Sequence, residues 1–181
     1  NPVFTYAHPQ WLCDRVRKAW PEHWQAILAG NNQHPPLTLR INQKHISRSH
    51  YLKHLEADRP ETEYRLSEFS PEAITLEQAC DVTQLPGFEQ GWFAVQDEAA
   101  QLSAQLLQLA PGMRVLDACC APGGKSCHIL EQEPNLKELV ALDVDSLRME
   151  RVAQNLARLG HLATLKTADA SDTNAWWDGQ L

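Results

Sequence analysis

The sequence has no apolar run long enough to span a bilayer, so no membrane anchor is legible in it. It has no CxxC pair, and no cysteine stands at zinc-like spacing from a histidine, so neither a zinc site nor any other metal site is expected. Its five cysteines (Cys13, Cys80, Cys119, Cys120 and Cys127) are an odd number, which suits a reducing cytoplasm better than a disulfide framework. Each is read as a small buried hydrophobe. No low-complexity tract and no internal repeat interrupts the 181 residues, which leave room for one or two small domains with a real core. The chain begins at Asn1-Pro2 rather than Met, so the lack of a signal peptide carries little weight.

Charge is unevenly spread. The net value is -7. Residues 1–59 hold eight Lys/Arg against four Asp/Glu, a net of +4, and six of the eight histidines, whereas residues 60–181 carry eight against nineteen, a net of -11. A basic front half is a candidate phosphate-facing surface, with Arg40, Lys44 and Arg48 as its contacts; a merely solvated face explains the charge equally well.

Three segments follow one another. Residues 1–34 read as a short helical segment, with two helices over residues 9–30. Pro9 and Pro21 suit first turns, and Trp11, Leu12 and Val16, then Trp24, Ile27 and Leu28, recur at helical spacing. Tyr6, Trp11, Trp20 and Trp24 have the stacking surface that bases use, but helix-spaced aromatics are expected to be core. Residues 35–95 alternate strand and helix patterns: "LTLRIN", "SRSHYLKHLEA", "EYRLSE", "AITLEQ", "CDVTQL" as a helical turn, then "GWFAV". That β-α-β-β-α-β order is a split βαβ unit. Residues 96–181 alternate more strongly. Asp97 caps a helix with Leu102, Leu106 and Leu109 on one face, stopped by Pro111-Gly112. "RVLDACC", "ELVALDVD" and "ATLKTAD" read as buried strands, and "KSCHILEQ" and "SLRMERVAQNLARLG" as the helices between, with Leu147, Val152, Leu156 and Leu159 inward. The fold class is α/β with a parallel, doubly wound sheet, and ligand belongs at the C-terminal ends of its strands.

The stretch "VLDACCAPGGKS" (115–126) is a strand, a glycine loop and a helix start. Three ligands use such loops. A P-loop for ATP or GTP needs G-x-x-x-x-G-K-[ST]; Gly124-Lys125-Ser126 fits, but Cys119 stands where the first glycine belongs and crowds the turn. A dinucleotide fingerprint needs early glycines that are missing here. S-adenosylmethionine asks less: backbone N–H groups, room for a carboxylate and an acid for the ribose hydroxyls. Asp143, 19 residues after Gly124, stands where that acid is expected, and Asp169 follows the third strand as an acceptor for an adenine amino group. Ordinary capping is the plain alternative for both.

"DACCAPGGKS", with "FAVQDEAAQ" before it and "ALDVD" and "TADA" after it, resembles the Sun/Fmu-type RNA (cytosine-5) methyltransferases. The resemblance covers residues 35–181 well and the N-terminal helices less distinctively. It implies the N-terminal half of a Rossmann-like S-adenosylmethionine-dependent methyltransferase sheet, preceded by an RNA-recognition-like subdomain. It implies cofactor contacts from Cys119, Cys120, Ala121, Pro122, Gly123, Gly124 and Lys125, with Asp143 at the ribose, Asp169 at the base, and Arg148 beside them. It also implies C5 of cytosine in small-subunit (16S) ribosomal RNA as the acceptor. The family's chemistry is covalent, a cysteine thiolate adding to C6, and its cysteines follow Thr or Pro on later strands. This sequence has no Pro-Cys or Thr-Cys. The nucleophile is therefore expected downstream of Leu181, and the chain alone is expected to be inactive.

Overall fold

A computed structural model describes residues 1–179; Gln180 and Leu181, which end the "WWDGQL" stretch, lie outside the described residues. Residues Asn1–Pro35 form one compact unit and the rest of the chain another.

The first unit holds α1 (Pro2–Tyr6), α2 (Gln10–Ala19) and α3 (Trp24–Gly30). Asn1 caps α1 by accepting the Val3 N–H at 3.1 Å. Cys13 and Leu28 are buried, and Tyr6 meets Trp24 edge to face with centroids 5.7 Å apart. The aromatic expectation fails in part: Trp11 is 60% exposed and Trp20 58%. A unit of this size has one small interior, and Cys13 and Leu28 occupy it.

The second unit opens with the expected split βαβ order. It contains β1 (Leu37–Ile41), α4 (Arg48–Asp58), β2 (Tyr64–Leu66), β3 (Ala73–Leu76), a 3-10 turn at Val82–Gln84 in place of a second helix, and β4 (Phe93–Val95). The antiparallel order is β2-β3-β1-β4, with Thr38 opposite Thr75 and Arg40 opposite both Ala73 and Ala94. Period-2 alternation sends Leu39, Ile41, Ile74, Leu76 and Phe93 to one face, where Tyr51 and Leu55 of α4 complete a core. Truncating Leu55 to Ala there should cost about 2–5 kcal/mol. Ser47 caps α4 through the His50 N–H.

The sheet's other face carries Thr38, Arg40, Thr75 and Gln96, all buried, and α5 (Glu98–Leu106) and α6 (Gly124–Gln132) cover it. Ala94 on that face joins the core of the domain that follows. Both faces of the recognition-like sheet are thus closed by the chain itself.

That domain holds β5 (Arg114–Asp117), α6, β6 (Glu138–Asp143), α7 (Ser146–Leu159), β7 (Thr164–Thr167) and the short α8 (Thr173–Trp176). The sheet is parallel in the order β5-β6-β7, with Asp117 level with Ala141 and Asp143 level with Thr167. α5, α6 and α7 pack in succession, and Ala104, Cys127, Leu130, Ala141, Val152 and Leu156 interlock beneath them.

Three expectations change here. Leu147 is 71% exposed, because α7 turns Met149, Val152, Leu156 and Leu159 inward instead. The Asp97-capped helix ends at Leu106, which is 80% exposed, and Gln108 at φ 50 turns the chain before Pro111-Gly112. Its buried residues are Gln101 and Ala104. β5 is only half-buried along its length, whereas five of the six β6 residues are buried. Among the described residues β5 and β7 are the two edges of this sheet.

Candidate cofactor site

The loop after β5 is anchored from several sides. The Cys120 N–H donates to the Leu142 carbonyl at 2.8 Å, and the Gly123 N–H closes a tight turn on the Cys120 carbonyl at 2.6 Å. Gly123 has φ 101, a conformation open to glycine, and a Cβ there would lie 3.4 Å from Cα and Cγ1 of Val152. Gly124 then starts α6. The first backbone N–H groups of that helix have no partner within it, which makes its N-terminus a natural place for a ligand carboxylate.

The loop's carbonyls are drawn the other way. Arg148 Nη2 donates to the Ala121 carbonyl at 3.1 Å, Asn155 Nδ2 to that of Pro122 at 2.8 Å, and Arg40 Nη1 to that of Gly124 at 2.8 Å. Two elements, α7 and β1, therefore hold the loop by its acceptors.

Asp143 ends β6, 4% exposed. Its Oδ2 accepts the Ala121 N–H at 3.3 Å and its Oδ1 the Asp145 N–H at 3.1 Å, with Arg148 Nη1 3.6 Å from Oδ1. A carboxylate has about four acceptor sites, so capacity for a ribose diol remains. Val144, the next residue, is 66% exposed and offers an apolar surface beside it. Asp145 caps α7 by accepting the Leu147 and Arg148 N–H groups. Asp169, exposed after β7, accepts the Ser171 N–H and hydroxyl at 2.8 and 2.7 Å, and those bonds hold its carboxyl below the usual range.

Cys119 and Lys125 are exposed, and Pro122 is exposed between them. A hollow of about 200 Å³, lined by Ser103, Leu107, Leu116, Asp117, Lys125 and Ile129, lies beside Lys125. The reading of every cysteine as a buried hydrophobe holds for Cys13, Cys120 and Cys127 but not for exposed Cys80 and Cys119. Burial pushes the Cys120 thiol up to about 12, with the Asp117 and Asp143 carboxylates adding to it, and burial does the same to Cys127.

The P-loop alternative loses its hydroxyl. Ser126 is fully buried and donates to Asp117 Oδ2 at 2.7 Å, so its hydroxyl is not open to a phosphate-bound cation.

The basic-surface expectation changes at Arg40. Arg40 is fully buried: Nε and Nη2 grip both oxygens of Glu131 at 2.9 and 2.7 Å, and Nη1 also donates to Gln96 Oε1. Lys44 Nζ donates to the Leu130 carbonyl at 2.7 Å, and Arg48 Nη1 to those of Ser70 and Ala73 at 3.4 and 3.3 Å. All three cations tie the molecule together. Sequence reading missed Arg40, Gln96, Glu131, Asn155 and Asp117 as supports of the loop. No local signal marked Arg40, which falls with Thr38 on the polar face of "LTLRIN", the face that alternation assigns to solvent.

A three-stranded parallel sheet with an anchored glycine loop and acids at successive strand ends is the first half of a Rossmann-like methyltransferase domain, here behind a ferredoxin-like subdomain. Two family profiles match: the ferredoxin-like domain of RsmF/B-like methyltransferases over residues 8–83, and the 16S rRNA methyltransferase RsmB/F family over residues 104–181. The chain belongs to the RsmB/F family, the Sun/Fmu group that the loop motif pointed to. It is 53% identical over 180 residues to ribosomal RNA small subunit methyltransferase B of Pseudomonas syringae pv. tomato, covering 99% of this chain and 40% of that protein. The chain thus spans about two-fifths of the length of that relative. It resembles the crystal structure of PH0851 with a TM-score of 0.83 and 27% identity, over 94% of this chain and 38% of that one. NSun6 from Pyrococcus horikoshii with SFG shares the fold at a TM-score of 0.76 and 15% identity, over 89% of this chain and 65% of that one.

Proposed function

We propose that this chain is the cofactor-binding half of an S-adenosylmethionine-dependent methyltransferase acting on C5 of cytosine in small-subunit ribosomal RNA. The observation that carries the reading is the loop of residues 119–125, with its carbonyls held by Arg148, Asn155 and Arg40 and its Ala121 N–H bound to Asp143. Such a loop turns helix-terminal N–H groups toward a ligand carboxylate and sets a strand-end acid where a ribose binds. Cys119 to Lys125 would hold the methionine part and Asp143 the ribose, with Arg148 fixing Asp143 and Asp169 facing the base. When bound, the sulfonium supplies an electrophilic methyl group. The chain's own part is to bind, orient and fix that group. The chemistry needs a thiolate against C6 of an exposed cytosine. Cys120 and Cys127 are protonated at neutral pH by the same burial that raises their pKa, so the nucleophile belongs outside these residues.

Cys119 gives a direct test. S-adenosylmethionine should slow its alkylation while leaving that of Cys80, on the other subdomain, unchanged. Equal rates at both cysteines with and without the cofactor would remove the loop from the site.

A further inference from the structure

Each backbone carbonyl shares one rigid plane with the N–H of the next residue, and the two point in opposite directions. The three gripped carbonyls of the loop are unequal in this respect. The plane of Ala121 ends on Pro122, which has no N–H, and the plane of Pro122 carries the Gly123 N–H, already committed to the Cys120 carbonyl. The plane of Gly124 carries the Lys125 N–H, in the first turn of α6, where no partner exists within the helix. Arg40 holds that plane.

Arg40 is itself held firmly. It lies on β1, which is paired on both sides, by β3 and β4. Its guanidinium is fully buried and makes a two-pronged bond to Glu131, on the same face of α6 as Gly124 and about two turns further along. The third prong reaches the Gly124 carbonyl and Gln96. We infer that Arg40 is a positioning residue for the cofactor: through it the ferredoxin-like sheet orients the peptide plane that presents the Lys125 N–H. This rests on the cofactor reading above. A buried ion pair by itself is replaceable by an apolar pair of similar volume, often with no loss of stability. An apolar pair cannot donate to the Gly124 carbonyl, so stability and positioning are separable.

The test is calorimetry of S-adenosylmethionine binding to the whole gene product carrying this chain, alongside thermal denaturation. Arg40→Met with Glu131→Leu should restore the melting temperature lost in Arg40→Met alone, yet bind cofactor on the order of tenfold more weakly than wild type, the worth of one directed hydrogen bond. Arg40→Lys, which keeps the charge and loses the fork, should bind more weakly than Leu55→Ala adjusted to the same distance below its melting temperature. Wild-type affinity in the double variant would overturn the inference and leave Arg40 as a link between subdomains; should that variant not fold, equal affinity in Arg40→Lys and Leu55→Ala would do the same. Failure of wild type to bind the cofactor would overturn the functional reading instead.

Discussion

Asp143 Oδ2 accepts the Ala121 N–H at 3.3 Å, so a single carboxylate joins the end of β6 to the loop that follows β5. Asp143 also takes the Asp145 N–H at the head of α7, which places it at the meeting point of three segments. Replacing it with Ala should weaken S-adenosylmethionine binding by ~1.5–3 kcal/mol, the usual worth of a hydrogen bond to a charged group. Calorimetry checks this, and an unchanged dissociation constant would deny Asp143 the ribose.

Gly123→Ala places a Cβ at φ 101 against the Val152 backbone and side chain. An L residue strained there costs about 1–3 kcal/mol. The loss should appear in thermal denaturation and in cofactor affinity together, because the turn that Gly123 makes is the loop itself.

Burial works against the Glu131 carboxylate, yet His161, the Arg40 guanidinium and His128 together hold its pKa below the ordinary value. A depressed acid contributes stability that is complete above its unfolded pKa, about 4.3, and is lost as pH falls through the folded value. Glu131→Gln should therefore be much less stable than wild type at pH 7, and the gap should narrow as the pH is lowered below about 4.3. Urea unfolding across that range measures it; a constant gap would mean that Glu131 is not held as a carboxylate.

Burial pushes both the Cys120 and Cys127 thiols up to about 12, so neither is appreciably ionised near neutral pH. Cys120 and Cys127 should resist iodoacetamide in the folded chain, while exposed Cys80 and Cys119 react. Peptide mapping after timed alkylation checks the order. Rapid labelling of Cys120 would reopen the question of the nucleophile.

The order of elements was legible because period and punctuation agree along most of the chain. Asp97, Asp145 and Ser47 cap the helices they precede, and Gly160, at φ 76, ends α7 where the pattern stops. The loop and the Asp143 spacing were legible for the same reason, since local chemistry demands particular residues. Burial at long range was not. Net charge marked Arg40 as a surface cation, but its partners lie 56 to 91 residues away in sequence, and no local pattern pairs them. Leu106 and Leu147 show the same limit from the apolar side: helical spacing names a stripe, and tertiary packing decides which stripe is covered.

The most direct measurement of the central claim is titration of S-adenosylmethionine and, separately, of ATP into the whole gene product carrying this chain. The account predicts saturable binding of S-adenosylmethionine, weakened in Asp143→Ala, and no heat from ATP. Binding of ATP with none of S-adenosylmethionine would contradict it.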